Sequence, residues 1–380
     1  MLALRLARRG HALVQLRRLL VAAASAGVGF LLLCTLTYAL SHPGDSAAAT
    51  QRLLWCLFPL LAAVYFAVAV ARTDPSTRPR SALSAVGLGP AGLAVVAAAT
   101  TALATTLGST VALLIFLHLR GDLSGLPFDG AASELLAADE SLPLGAALLL
   151  LALVPVASSA ATAIALRHRA VVEDVREPAS APAGLPWGVA LIAGGLAVET
   201  YASGRPSGQP LALLGHTAGH PAGVVAGWAL TAVGLWLVGP ALTHLCGRLV
   251  QALRPGSTRL LAGRILMAEA RRIGRPLGVV CAVASGALAM STLHGDAARP
   301  WGPMSALGTA VVVACTTATL VTAALQARQS RAATTEALLR LGAHAAVLRQ
   351  AAALRAGALL ALFGPLTLTV AVLAAAPLKG

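Results

Sequence analysis

Long apolar runs recur along this chain, several of them reaching the ~20 residues that an α-helix needs to cross ~30 Å of hydrocarbon. They fall at 19–40, 53–71, 91–118, 142–166, 185–202, 222–246, 277–293, 305–327 and 351–376. Backbone polar groups find no water in a bilayer core, so runs of this kind are read as spanning helices. Pro59 sits inside the second run, a position that membrane helices tolerate. Composition agrees. The chain is 57% hydrophobic and 11% charged, with mean hydropathy +0.80, against roughly 25% charged residues in soluble chains. The expected fold class is an all-α polytopic membrane protein of about nine transmembrane helices.

A net charge of +14 would suit a nucleic-acid binder, but its distribution argues otherwise. With the N-terminus inside, cytoplasmic segments hold 23 basic and 6 acidic residues, and outer segments hold 5 basic and 8 acidic. This is the positive-inside asymmetry. Topology and anionic lipid account for the charge, and no nucleic-acid partner is expected. Lys379 is the one lysine among 28 basic residues. A Walker A loop needs a lysine within GxxxxGK[ST], so this chain binds no ATP by that loop.

Other candidates read as structural. Cys34, Cys56, Cys246, Cys281 and Cys315 lie in or beside apolar runs without CxxC spacing, as small buried hydrophobes do. His216 and His220 are four apart, but Gly219 and Pro221 oppose a helix there and no third ligand is close. No metal is expected. Glu199 lies near the end of a weak span; an acid in a membrane segment is a functional candidate by default. Loop 120–142 carries five acids and reads as a solvated loop. Gly27, Gly29, Ala282 and Gly286 suit close helix packing, and so do Ser158 and Ser159. No nucleophile–base arrangement appears, so the chain is not expected to be an enzyme.

The chain repeats itself at an offset near 255 residues. Arg17-Arg18 pairs with Arg271-Arg272, Ala71-Arg72 with Ala327-Arg328, and Gly108 with Gly364. Ser81-Ala-Leu-Ser-Ala-Val-Gly87 pairs with Glu336-Ala-Leu-Leu-Arg-Leu-Gly342. Six spans separate the repeat starts, which makes the repeats parallel. The expected organisation is a first repeat over 1–180, two linking spans over 181–247, and a second repeat over 248–380. The stretch Ala327–Pro365 is read as a polar, arginine-bearing surface helix running without a break into an apolar span.

At these residues the chain resembles the FtsX/MacB-like permeases of ABC transporters, with the layout of the bacitracin-resistance type. Glu336, Leu339, Arg340, Leu341, Gly342 and Ala343 follow the residue order of the family's coupling-helix pattern, E-[IL]-x-x-L-[RK]-x-[LI]-G-A, over a stretch two positions shorter. The first copy fits in Leu83, Val86 and Gly87, with Ser81 where the acid would stand. Pro155 and the tail from Arg167 to Arg176 fit the family's fourth helix. The resemblance implies two FtsX-like repeats of four and three helices, with coupling helices at about 75–90 and 331–346. A fourth helix of the second repeat would lie beyond residue 380. A degenerate member, a shortened chain, or a helix from a further membrane subunit would each account for that. The large extracellular domain usual in this family has no counterpart in the short loops 41–52 and 294–304.

The implied function is the permease subunit of an ATP-driven transporter in a bacterial cytoplasmic membrane. Its partner is an ABC ATPase, two copies per permease, which binds the ATP and Mg. Its cargo is amphipathic or membrane-embedded: an antimicrobial peptide, an antibiotic or a lipid-like molecule. The alternative is a non-transporting sensor or scaffold regulated by such an ATPase. A stand-alone ion-coupled carrier fits less well, since few ionisable residues lie in the spans.

Overall fold

A computed structural model of the 380-residue chain describes residues 2–73, 90–123, 130–134, 136–172, 182, 184–203, 222–252, 256–293, 303–342 and 344–376. Regular structure among them is helical throughout. The helices are α1 (Leu2–Ser41), α2 (Ser46–Thr73), α3 (Pro90–Arg120), α4 (Leu144–Val172), α5 (Leu185–Ser203), α6 (Ala222–Ala252), α7 (Ser257–Leu293), α8 (Pro303–Arg340) and α9 (Ala345–Ala375). All nine are long and apolar enough to cross a membrane. This is a multi-pass membrane protein.

Helices continue further than the apolar runs suggest. α1, α7 and α8 have 40, 37 and 38 residues, about 55–60 Å each at 1.5 Å per residue. The basic stretch 2–18 is the first part of α1. The basic residues before the run 277–293 join it in one helix from Ser257. Arginine, leucine and alanine are all good helix formers, so a change from apolar to charged side chains gives the backbone no reason to stop. Pro59, Pro155, Pro240, Pro276 and Pro365 lie inside continuous helices.

The chain forms two compact units, residues 1–176 with 301–319, and residues 177–300 with 320–380. α8 contributes residues to both units.

In the first unit α1 packs against α2, α3 and α4. Val28, Leu32, Phe66 and Val154 are buried in one cluster, with Val311 and Val312 packed on it; Leu33, Phe116 and Leu151 are buried in a second. α1 and α3 cross at Gly108, where a Cβ would overlap the backbone at Ala22. Hydroxyls tie the crossing. Ser25 Oγ donates to the Thr105 carbonyl at 2.7 Å, and Ser109 Oγ to the Leu151 carbonyl of α4 at 3.2 Å. Gly27 faces Val311, and Gly29 faces Leu151 and Ala112, in the packing role expected of them.

The described part of the acidic 120–142 loop is folded onto its unit. Gly130 N–H bonds the His118 carbonyl and Ala132 N–H that of Leu119. Leu136 is buried beside Leu33 and Phe116. Arg120 is buried, lies 3.4 Å from Asp122, and donates to the Glu140 carbonyl. The acids made this stretch look solvated, but Leu136 and Arg120 give it an interior.

In the second unit α6 packs between α5 and α7, and α9 packs on α7. Glycines set the spacing. A Cβ on Gly195 would stand 2.6 Å from the Gly227 carbonyl, and one on Gly274 2.6 Å from Cα of Pro240. Gly239 faces Gly274 across the α6–α7 crossing. Such close backbone approach is how helices associate where lipid removes the hydrophobic incentive.

Gly239→Ala should therefore destabilise the purified protein by about 1–3 kcal/mol, the usual cost of overpacking. Gly286, expected to serve close packing, has no described atom within 4 Å of an added Cβ, so Gly286→Ala, which favours a helix, is the matched control. Melting in detergent should separate the two; equal melting temperatures would contradict the tight crossing.

Candidate coupling segment and buried charges

No glycine or proline interrupts the chain from Thr309 to Leu341, and α8 runs unbroken through the change from apolar to polar sequence near Ala327. The polar segment is thus the far end of the preceding span. The sequence reading had joined it to the following one; the structure reverses this. The separate coupling helix expected at about 331–346 is instead the last turns of α8, a turn at Leu341–Gly342, and the start of α9 at Ala345. Gly342 makes the break. Its φ is +90°, a value that glycine adopts freely and that commonly ends helices. Leu341 N–H bonds the Ala337 carbonyl and Gly342 N–H the Leu339 carbonyl, both at 3.0 Å.

The tip before that turn is open to its surroundings. Arg340 donates to Glu336 Oε1 at 2.6 Å, with side-chain exposures of 78% and 65%. An exposed pair four residues apart is worth about 0.3–0.5 kcal/mol, so it orients the tip without holding the fold. Leu339 and Leu341 are 45% and 84% exposed beside it. Ser81, Leu83, Val86 and Gly87, the first copy of this pattern, lie outside the described residues. Ala343, His216 and His220 do too.

Two buried carboxylates lie in the second unit. Glu199 on α5 is fully buried. Its Oε1 accepts from Trp228 Nε1 on α6, while Oε2 and the buried Thr231 Oγ1 have no hydrogen-bond partner among the described residues. Glu269 on α7 is 7% exposed and lies 2.7 Å from Arg331 Nε on α8. The Arg331 N–H is directed at the Ala327 carbonyl, 2.9 Å away, so the contact with Glu269 is a charge pair rather than an aligned hydrogen bond. Arg355 on α9 and Arg272 on α7 lie within electrostatic reach of the same carboxylate. Three helices thus bring charge to one place.

Sequence reading singled out Glu199 and passed over Glu269. A signal was present, since Glu269 is the one acid within the basic stretch 248–276. Its partner is 62 positions away, beyond any local spacing rule. Among the described residues no three His, Cys, Asp or Glu side chains gather as metal ligands. All five cysteines are free and buried. Comparison with protein-family models, with characterised proteins and with solved structures found no match.

Arg331→Gln leaves the Glu269 carboxylate without its nearest counter-charge and should destabilise the fold by up to about 3 kcal/mol. Removing both charges, in Glu269→Gln/Arg331→Gln, should recover most of that loss. Glu336→Gln should change stability by less than about 0.5 kcal/mol. Melting of the three variants decides it: a double variant no better than Arg331→Gln would argue against the pair.

Proposed function

We propose that this chain is the membrane-spanning subunit of an ATP-driven transporter, and that a separate ABC-type ATPase grips the tip of α8. The observation that carries the reading is the continuity of α8. One 38-residue helix includes both a spanning segment and an exposed polar end. That end stops at a glycine turn and presents Glu336, Leu339, Arg340 and Leu341. A rigid rod with a gripped end transmits tilt into the membrane, and an intervening break would dissipate it. Leu339 and Leu341 supply apolar contact for a docked subunit, and the Glu336–Arg340 pair supplies orientation. Gly342 lets α9 leave at an angle.

Duplication supports a second lever in the first half. α3 and α9 both have 31 residues, and each end is displaced by 255 positions. The α1–α3 crossing uses Ser25 against the chain near Gly108. In the other half Cys281 Sγ lies 3.9 Å from the Phe363 carbonyl, at displacements of 256 and 255 from Ser25 and Gly108. Two levers on one chain call for two ATPase copies, in the manner of the FtsX/MacB-like permeases. In this reading the chain itself binds no nucleotide. ATP and Mg belong to the partner, which lies on the arginine-rich cytosolic side of a bacterial cytoplasmic membrane. Cargo would enter from the bilayer, which suits an amphipathic peptide, antibiotic or lipid-like molecule.

Tagged chain purified from its host membranes should retain an ATPase identifiable by mass spectrometry, at two copies per chain. Glu336→Lys should lose it while melting within about 0.5 kcal/mol of wild type, because the pair is exposed. Retention by Glu336→Lys, or no ATPase on the wild type, would overturn the reading. Uptake of a labelled cationic amphipathic peptide into vesicles holding the complex and ATP separates a transporter from a sensor, which would show docking without uptake.

Orientation has its own test. Leu341→Cys should react with a membrane-impermeant maleimide in inverted vesicles and not in right-side-out cells. The five native cysteines are buried and give little background. Labelling from outside would place the tip on the wrong side for any cytosolic motor.

A further inference from the structure

The charge cluster around Glu269 is unbalanced. Glu269 carries one negative charge, and Arg331, Arg355 and Arg272 carry three positive ones. Arg331 takes the contact with Glu269 at 2.7 Å. Arg355 is half-buried; its Nε donates to the Ala351 carbonyl of its own helix at 3.2 Å. Among the described residues no carboxylate makes an ion pair with it. Arg331 and Arg355 lie within reach of each other's charge. Two partly buried guanidiniums so placed repel unless something negative sits between or beside them, and one carboxylate neutralises only one of them.

The position of the cluster says what that something is. On α8 the apolar stretch ends at Ala327, just before Arg328 and Arg331. On α9 apolar residues run from Ala356 to Ala376, directly after Arg355. On α7 they run from Pro276 onward, just after Arg272 and Arg275. Three helices therefore change from polar to apolar at the level of this one cluster. In a bilayer that level is the headgroup layer, where lipid phosphates lie.

We propose that α7, α8 and α9 form a binding site for the phosphate of an anionic phospholipid, with the Arg355 and Arg331 guanidiniums as donors and Arg272 adding charge. A guanidinium presents paired N–H groups that match phosphate oxygens, and back-bonding of each Nε to its own helix leaves the terminal nitrogens for the ligand. Glu269 holds Arg331 in place and keeps the site from binding a second anion. Acyl chains would lie along the apolar lengths of the helices below. The site stands whether or not an ATPase docks on the α8 tip.

The test uses the full chain, delipidated in mild detergent. It is offered short-chain phosphatidylglycerol, phosphatidylcholine of the same chain length, or inorganic phosphate, and adducts are counted by native mass spectrometry. Phosphatidylglycerol should bind at about tenfold lower concentration than phosphatidylcholine. Arg355→Gln should abolish that preference, and Arg340→Gln, at the exposed tip, should keep it. If Arg355→Gln does not melt cooperatively, Arg355→Lys is read instead; it retains the charge, loses the fork, and should show a reduced preference. Equal binding of the two lipids would overturn the proposal, as would an undiminished preference in the Arg355 variant. Displacement of phosphatidylglycerol by an equal concentration of inorganic phosphate would mean a site for the free ion and would overturn the lipid assignment.

Discussion

A backbone N–H left open in hydrocarbon costs several kcal/mol. That cost fixes the secondary structure of most of this chain. Each spanning segment must close its hydrogen bonds within itself, so each becomes a helix, and five internal prolines do not prevent it. Many side-chain hydroxyls follow the same rule, although Ser158, Thr162 and Thr231 are buried without a hydrogen-bond partner among the described residues. Thr37, Thr101, Thr105, Thr243 and Thr319 all bond a carbonyl one turn back on their own helix. With the backbone satisfied locally, what remains to be decided is how the helices meet and where they stop.

They meet by two devices. Glycines let backbones approach closely at the α1–α3, α5–α6 and α6–α7 crossings, and small hydroxyls then bond across the gap, as Ser25 and Ser109 do. Where a helix carries a charge inward, the charge brings a partner from another helix: Trp228 for Glu199, Arg331 for Glu269. α8 uses both apolar burial and charge, since Cys315 is buried in the cluster with Leu32 and Phe66 and Arg331 pairs with Glu269.

Segment placement was legible in the residues, because the cost of burying charge in hydrocarbon is paid residue by residue and can be summed along the chain. Each of the nine apolar runs lies within one helix, overrunning its ends by at most two residues. Helix ends were less legible. Apolar length marks where the membrane stops; it does not mark where a helix stops, because Arg, Ala and Leu continue a helix in water as well as in lipid. Hence α1, α7 and α8 outrun their apolar runs. Ala327–Pro365 reads in sequence as running through Gly342 without a break, whereas the chain holds no glycine or proline between Thr309 and Leu341 and turns at Gly342.

By itself the sequence determined the all-helical membrane class and the apolar segments long enough to cross a bilayer, which follow from composition and spacing along one dimension. Tertiary structure alone decided which charges face one another. Glu269 and Arg331 are 62 positions apart, Glu199 and Trp228 are 29 apart, and Leu136 is buried from within a loop rich in acids. Partners like these are chosen by helix rotation and crossing, which depend on how small residues interlock in three dimensions, and no periodicity in the chain encodes that choice.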